Sequence, residues 1–221
     1  MQAANAAERH LLRADPVLAR VISFVRERAK GTPELFRPDK RDPLESLAHS
    51  IVSQQLSSAA ARTIYGRVRT LLPSEFTAAA LLRVPVLKLR TAGLSGSKAR
   101  FVQEIAQASV DGRLDFSRLE RLDDDAVREH LCAIKGVGPW TAQMFLMFKL
   151  RRPDVLPVGD GGIQRAIEVA WRRKRPTPQQ VEQIAKPWRP HATTACLFLW
   201  SALDLGLGRK VPEARRAARK Q

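Results

Sequence analysis

Two short stretches carry groups suited to a charged, phosphate-bearing substrate: Lys135-Gly136-Val137-Gly138-Pro139 and Asp160-Gly161-Gly162. Glycine permits positive φ and leaves no side chain in front of the backbone N–H groups. Pro139 suits the first position of a helix, where a missing N–H costs nothing. A helix that opens straight after such a turn presents unpaired N–H groups, a ready phosphate site, and Lys135 adds a positive charge beside it. Taken alone, Gly136-Val137-Gly138 also fits an ordinary turn between two helices. Asp160 precedes a helical stretch and fits a plain N-cap. The pair Gly161-Gly162 argues for more than a cap. Two glycines cost about 1 kcal/mol each inside a helix, so something approaches the backbone closely there.

The elements that must position these groups read as helices. Asp123 to Ile134 has Leu122, Val127, Leu131 and Ile134 on one face, and Trp140 to Leu150 is helix-like again. Upstream, Asp15-Pro16 opens a helix whose apolar face is Leu18, Val21, Ile22, Val25 and Ala29, with Gly31 as its terminator. Leu44 to Val52 carries a helical stripe. The polar interruption Ser53-Gln54-Gln55-Leu56-Ser57-Ser58 follows it, then a helix over Ala59 to Leu72. Gln54 and Gln55 alone fit a solvated loop. Shorter helices are predicted over Glu75–Leu82, Pro85–Thr91 and Lys98–Ser109. Downstream come Gly162–Trp171, Pro178–Lys186 behind the capping box of Thr177 and Gln180, and Thr193–Leu205. No segment shows sustained period-2 alternation, so the fold class is all-α.

Lysine and arginine number 38 against 22 acidic residues, for a net charge of +16. That balance favours a polyanion, and without a basic amphipathic anchor the polyanion is nucleic acid rather than a membrane. No apolar run is long enough to span a bilayer. The first residues, Met1 to Glu8, lack a signal-peptide core, and a cytoplasmic location is expected. Cys132 and Cys196 are the only cysteines, too few for a four-cysteine cluster or zinc site, and both fit buried free thiols. The four histidines lack metal-ligand spacing, and Asp123-Asp124-Asp125 fits a helix start better than a metal cluster. No metal or cofactor is expected. The tail Arg209–Gln221, with six basic residues and one glutamate, is either a solvated appendage or a phosphate-tracking segment.

The run Leu131 to Ala142 followed by Asp160 resembles the helix–hairpin–helix of the DNA glycosylase superfamily, most closely its 3-methyladenine DNA glycosylase II (AlkA-like) branch. The resemblance extends from about Leu44 to Trp200. It implies two helical subdomains with the active-site cleft between them. Residues 1–43 form an N-terminal helix and linker packing with the C-terminal subdomain. Residues 44–150 form the barrel with the hairpin, and residues 151–221 carry the aspartate loop, C-terminal helices and tail. By the same resemblance Lys135, Gly136, Val137 and Gly138 anchor DNA. Gln55, helped by Gln54 or Leu56, fills the gap left by an extruded nucleotide, and Asp160 is the catalytic carboxylate. Trp140, Met144 and Trp200 match base-pocket positions, though each tryptophan also fits core packing. Ala92-Gly93-Leu94-Ser95-Gly96-Ser97-Lys98-Ala99 looks like a further signature with a packing role.

Bifunctional members place a Schiff-base lysine where this chain has Trp140, so the resemblance implies a hydrolytic, monofunctional enzyme. Its partner is double-stranded DNA containing damaged bases, its expected state a monomer, and its expected substrates alkylated purines of the 3-methyladenine and 7-methylguanine type. Excision of deaminated or oxidised bases, or a non-catalytic DNA-binding role, are the competing readings. The chain departs from the family pattern at His191 and Ala192, where an aromatic residue and an arginine are usual, and at the slim Asp160-Gly161-Gly162.

Overall fold

The computed structural model describes residues 5–29, 33–73 and 75–208, and among these residues it is helical throughout, with no strand. The helices are α1 (Ala6–Ala14), α2 (Pro16–Arg28), α3 (Pro43–Ser53), α4 (Ser58–Arg69), α5 (Ala78–Arg83), α6 (Val86–Thr91) and α7 (Gly96–Val110). They continue as α8 (Phe116–Leu119), α9 (Asp124–Cys132), α10 (Pro139–Met144), α11 (Gly161–Ala170), α12 (Pro178–Ala185) and α13 (Ala192–Asp204). No described helix is long and apolar enough to cross a membrane. The chain divides into two units: Pro38–Arg152 holds α3 to α10, and Met1–Arg37 with Pro153–Gln221 holds α1, α2 and α11 to α13. Gly31 and the basic tail Arg209–Gln221 lie outside the described residues.

Most starts follow the capping chemistry of the sequence. Asp15 caps α2, Ser57 caps α4, and Thr177 with Gln180 forms the capping box of α12. Two helices were not expected. In α1, alanine and charged residues hide a single turn of contact, with Leu11 fully buried and Glu8 paired to Arg26 at 2.5 Å. α8 is too short to show a period. The stretch after the hairpin is also not one regular helix. α10 ends at Met144, and Phe145–Lys149 continues as a π-helix, bonded from Leu150 N–H back to the Phe145 carbonyl at 3.0 Å. Such widened turns are frequent at functional sites.

Within Pro38–Arg152, α3 packs on α4, α7 and α10, with Leu47 and Ile51 fully buried. Within the other unit, α13 packs against α2 and α11 and is buried along most of its length. Asp15 ties this second unit together. Its Oδ1 accepts from the Val17 and Leu18 N–H groups at 2.8 and 3.1 Å, capping α2, while Oδ2 accepts from the fully buried Trp188 indole at 2.9 Å. Asp15→Ala loses the cap and orphans a buried N–H, an expected loss of about 2–4 kcal/mol. Asp15→Asn has one acceptor oxygen for two tasks and falls between wild type and Asp15→Ala. Urea unfolding of the three proteins checks the order, and an unchanged midpoint for Asp15→Ala refutes the linkage.

Candidate functional site

The hairpin is built on a steric exception. After α9 the chain turns through Ile134–Val137, closed by the Val137 N–H donating to the Ile134 carbonyl at 3.0 Å. Gly136 sits at φ +94, and a Cβ there would lie 2.1 Å from Cγ of Phe101 on α7. Only a hydrogen fits, because the turn is laid directly on the Phe101 ring. Val137 and Ile134 point inward, both 4 % exposed. Val137 therefore serves as a packing residue whose amide is already used in the turn. Lys135 is exposed. Gly138 occupies the N-cap of α10 with no side-chain cap, and Pro139 is the first helical residue. The Ala142 N–H donates to the Gly138 carbonyl at 3.0 Å, so α10 is closed from its first turn by backbone alone.

The loop after α3 splits its three candidate residues into two roles. Gln54 turns inward: its side-chain amide donates to the Gly136 carbonyl at 3.1 Å and to Thr141 Oγ1 at 2.9 Å. A carbonyl oxygen only accepts, so the amide nitrogen must face it. Gln54 is therefore engaged inside the protein. Gln55 and Leu56 are the exposed members of the loop, Leu56 at 38 %. Gln55 stands at φ +56, a left-handed conformation that costs a non-glycine residue about 1–2 kcal/mol. The bonds around it exceed that cost, since a hydrogen bond from a charged group contributes about 1.5–3 kcal/mol. The charged donor is Lys98, whose Nζ reaches the Val52 and Gln54 carbonyls at 2.7 and 2.5 Å. Partial burial lowers its pKa. A hollow of about 240 Å³ lies under this loop, bounded by Gln55, Leu56, Ile64, Leu94 and Lys98. His49, one turn before the loop on α3, is held down to about 4 by burial and by the Arg41 charge, so it is neutral at physiological pH.

In the other unit, Asp160 caps α11 and does more. Its Oδ1 accepts from the Ile163 N–H at 2.8 Å and from the Trp200 indole N–H at 2.8 Å. The approach of Trp200 explains the paired glycines. A Cβ on Gly162 would lie 2.9 Å from Cδ1 and Nε1 of Trp200 and 3.0 Å from Asp160 Oδ1, whereas one on Gly161 meets nothing within 4 Å. Gly162 is thus required by the indole. The loop itself is tied by the Asp160 N–H to the Pro157 carbonyl at 2.9 Å and by the Gln164 side chain to the Val158 carbonyl at 3.1 Å. At the family's usual aromatic–arginine position, the Ala192 N–H instead donates to Asp154 at 3.1 Å and Arg189 pairs with the same carboxylate at 2.9 Å.

Trp200 is half-buried and tied to Asp160; Trp140 is half-buried and Met144 buried in the hairpin unit. Cys196 is buried as expected, and burial with the nearby Asp160 and Asp154 charges pushes its thiol pKa up. Cys132 is exposed, a correction to the expected burial. It stands one position past Leu131, rotated off the buried stripe of Val127 and Leu131. Among the described residues, no three of His, Cys, Asp and Glu gather as a metal site. Sequence reasoning missed Phe101, Thr141 and the use of Lys98. Lys98 stood inside the Ala92–Ala99 signature, the one signal that marked it.

Comparison with known proteins bears on the family and the fold. The family model described as HhH-GPD superfamily base excision DNA repair protein matches residues 48–190. DNA-3-methyladenine glycosylase 1 of Schizosaccharomyces pombe is 32% identical over 178 residues, 77% of this chain and 78% of the yeast protein. A solved structure of the S. pombe 3-methyladenine DNA glycosylase in complex with abasic DNA superposes with a TM-score of 0.83 at 30% identity, covering 94% of this chain and 100% of that one. A DNA-3-methyladenine glycosidase from Bacillus halodurans gives 0.72 at 37% identity, covering 93% and 92%. The chain belongs to the HhH-GPD superfamily of base excision DNA repair proteins.

Proposed function

We propose that this protein is a DNA glycosylase that hydrolyses the N-glycosidic bond of alkylated purines, of the 3-methyladenine and 7-methylguanine type, in double-stranded DNA. The observation that carries the reading is the Asp160 carboxylate, held by the Ile163 and Trp200 N–H groups at the start of α11. The names of its relatives, 3-methyladenine glycosylases among them, support the same substrate class.

A glycosidic bond inside a duplex is out of reach, so the nucleotide must leave the stack. The hairpin, with Lys135, grips the phosphate backbone, and Gln55 with Leu56 enters the vacated space. Cleavage builds oxocarbenium character on the sugar. Asp160 stabilises that cation electrostatically and orients or deprotonates the attacking water. Alkylation at N3 or N7 makes the purine a cationic leaving group, so modest help suffices. The aromatic face of Trp200, on the same unit as Asp160, suits a cationic ring, at about 0.5–2 kcal/mol per contact. No amine stands at the position of Trp140, and the reaction proceeds by hydrolysis without strand cleavage. The direct test is incubation with methylated duplex DNA and assay of free bases and abasic sites. Faster release of hypoxanthine or 8-oxoguanine than of methylpurines overturns the substrate class.

Asp160→Asn keeps an oxygen for both N–H donors but loses the charge, and single-turnover base release falls by about 10²–10³ while DNA affinity holds. Trp200→Phe keeps an aromatic face and deletes the donor, so kcat drops about 10- to 100-fold with little change in KM. Gly162→Ala mimics that loss and Gly161→Ala does not. Equal effects of the two glycine substitutions refute the steric account.

Borohydride traps no covalent enzyme–DNA adduct; efficient trapping through any lysine refutes the hydrolytic mechanism. Lys135→Ala weakens binding alike on damaged and undamaged duplexes and reduces the salt slope by about 1, the share of one phosphate. An unchanged slope removes Lys135 from the anchor.

A further inference from the structure

Lys98 stands at the wrong end of its own helix. It lies in the first turn of α7, behind the Ser95 cap, where the helix dipole disfavours a cation. Its ammonium leaves that end and reaches the C-terminal end of α3, where unpaired carbonyls and the dipole favour positive charge. The two carbonyls it takes, those of Val52 and Gln54, flank the last turn before Gln55. The side chain of Gln54 is bonded in turn to the hairpin at Gly136 and Thr141. The peptide joining Gln54 to Gln55 is therefore clamped from both sides, and Gln55 emerges from the clamp with its left-handed backbone.

We propose that Lys98 and Gln54 are positioning residues for nucleotide extrusion: Lys98 fixes the end of α3, Gln54 couples it to the hairpin, and together they aim Gln55 into the duplex. The inference rests on the reading of Gln55 as the residue that fills the vacated space. The arrangement sets the wedge and the phosphate anchor at a fixed spacing, so that a hairpin seated on the backbone delivers Gln55 at one position along the strand. A helix cap that served stability alone would have no need of the second tie through Gln54.

The test uses the full chain and duplexes carrying one 7-methylguanine, opposite either cytosine or an abasic gap. With a gap there is no partner base to stack or to replace, and the wedge has little to do. Lys98→Met should lower single-turnover excision about 30-fold opposite cytosine and less than about threefold opposite the gap, with Lys98→Arg restoring most of the loss. On a Gln55→Ala background, Lys98→Met should add less than about twofold, the non-additivity expected of residues that act as one unit. Equal losses on both duplexes, or full additivity with Gln55→Ala, overturn the proposal. If Lys98→Met does not fold, Gln54→Met, which removes both ties to the hairpin, is judged by the same two criteria. If Gln55→Ala excises like wild type opposite cytosine, the wedge assignment and this inference fall together, while wild-type base release still stands for the glycosylase reading.

Discussion

A carboxylate stabilises a nearby cation well only if it is already pointed before the charge appears, because reorienting it during the reaction costs what the interaction gains. In Asp160 that pointing is done through one oxygen. Oδ1 takes a backbone N–H from α11 and an indole N–H from α13, both at 2.8 Å, and two donors from different elements fix the carboxylate plane. Much of the unit serves this arrangement. α13 is buried along most of its length and packs on α11 and α2, which holds the Trp200 ring at its distance. Gly162 removes the one atom that would keep the indole away. The Asp15–Trp188 bond seats α2 against the segment that leads into α13.

The hairpin unit applies the same logic to backbone rather than to charge. A turn that offers N–H groups to a phosphate must keep them outward, so its side chains have to be absent or buried. Gly136 is absent in that sense, with Phe101 filling the space beneath it, and Val137 is buried. The tie from Gln54 to the Gly136 carbonyl uses the acceptor side of the turn and leaves its outer face to other partners. Strain at Gln55 is tolerable here because the charged Lys98 donates to the Gln54 carbonyl of the preceding peptide, while the Gln54 side chain donates to the Gly136 carbonyl and to Thr141.

What could be read in advance was local. The hairpin, the proline start of α10, the capping box of α12 and the placement of Asp160 ahead of a helix all depend on residues within a turn of one another. The roles that escaped prediction depend on distance in sequence. Gln54 meets Gly136 across 82 positions, Lys98 meets Val52 across 46, and Trp200 meets Asp160 across 40. No periodicity reports such pairs. By the family resemblance Gln54 reads as a helper of Gln55, yet one points in and the other out. Gly161-Gly162 announced that something comes close without naming it, and only the structure assigns the approach to Trp200 and frees Gly161 from it. α1 escaped because its buried contribution is essentially Leu11 alone, and the π-helix after Met144 because a widened turn leaves the hydrophobic pattern almost unchanged.

For a cationic purine the positive charge moves during the reaction: it starts on the base, and as the glycosidic bond breaks it passes to the sugar while the base leaves neutral. A carboxylate equally near both would stabilise substrate and transition state alike, which tightens binding without raising the rate. Acceleration comes only if the carboxylate lies closer to the sugar than to the base, so its placement matters as much as its charge. The Trp200 hydrogen bond fixes that placement without using the face of its ring. An indole N–H lies in the ring plane, so donating it to Asp160 does not consume the π face, and one side chain can set the position of the anion while offering a surface to a flat cation. In the proposed reaction the base is held by stacking, which weakens when its charge is lost, and the sugar by a carboxylate, whose attraction strengthens as charge arrives. Only the second change favours the transition state over the bound substrate; the first opposes it and instead lets the neutral base depart.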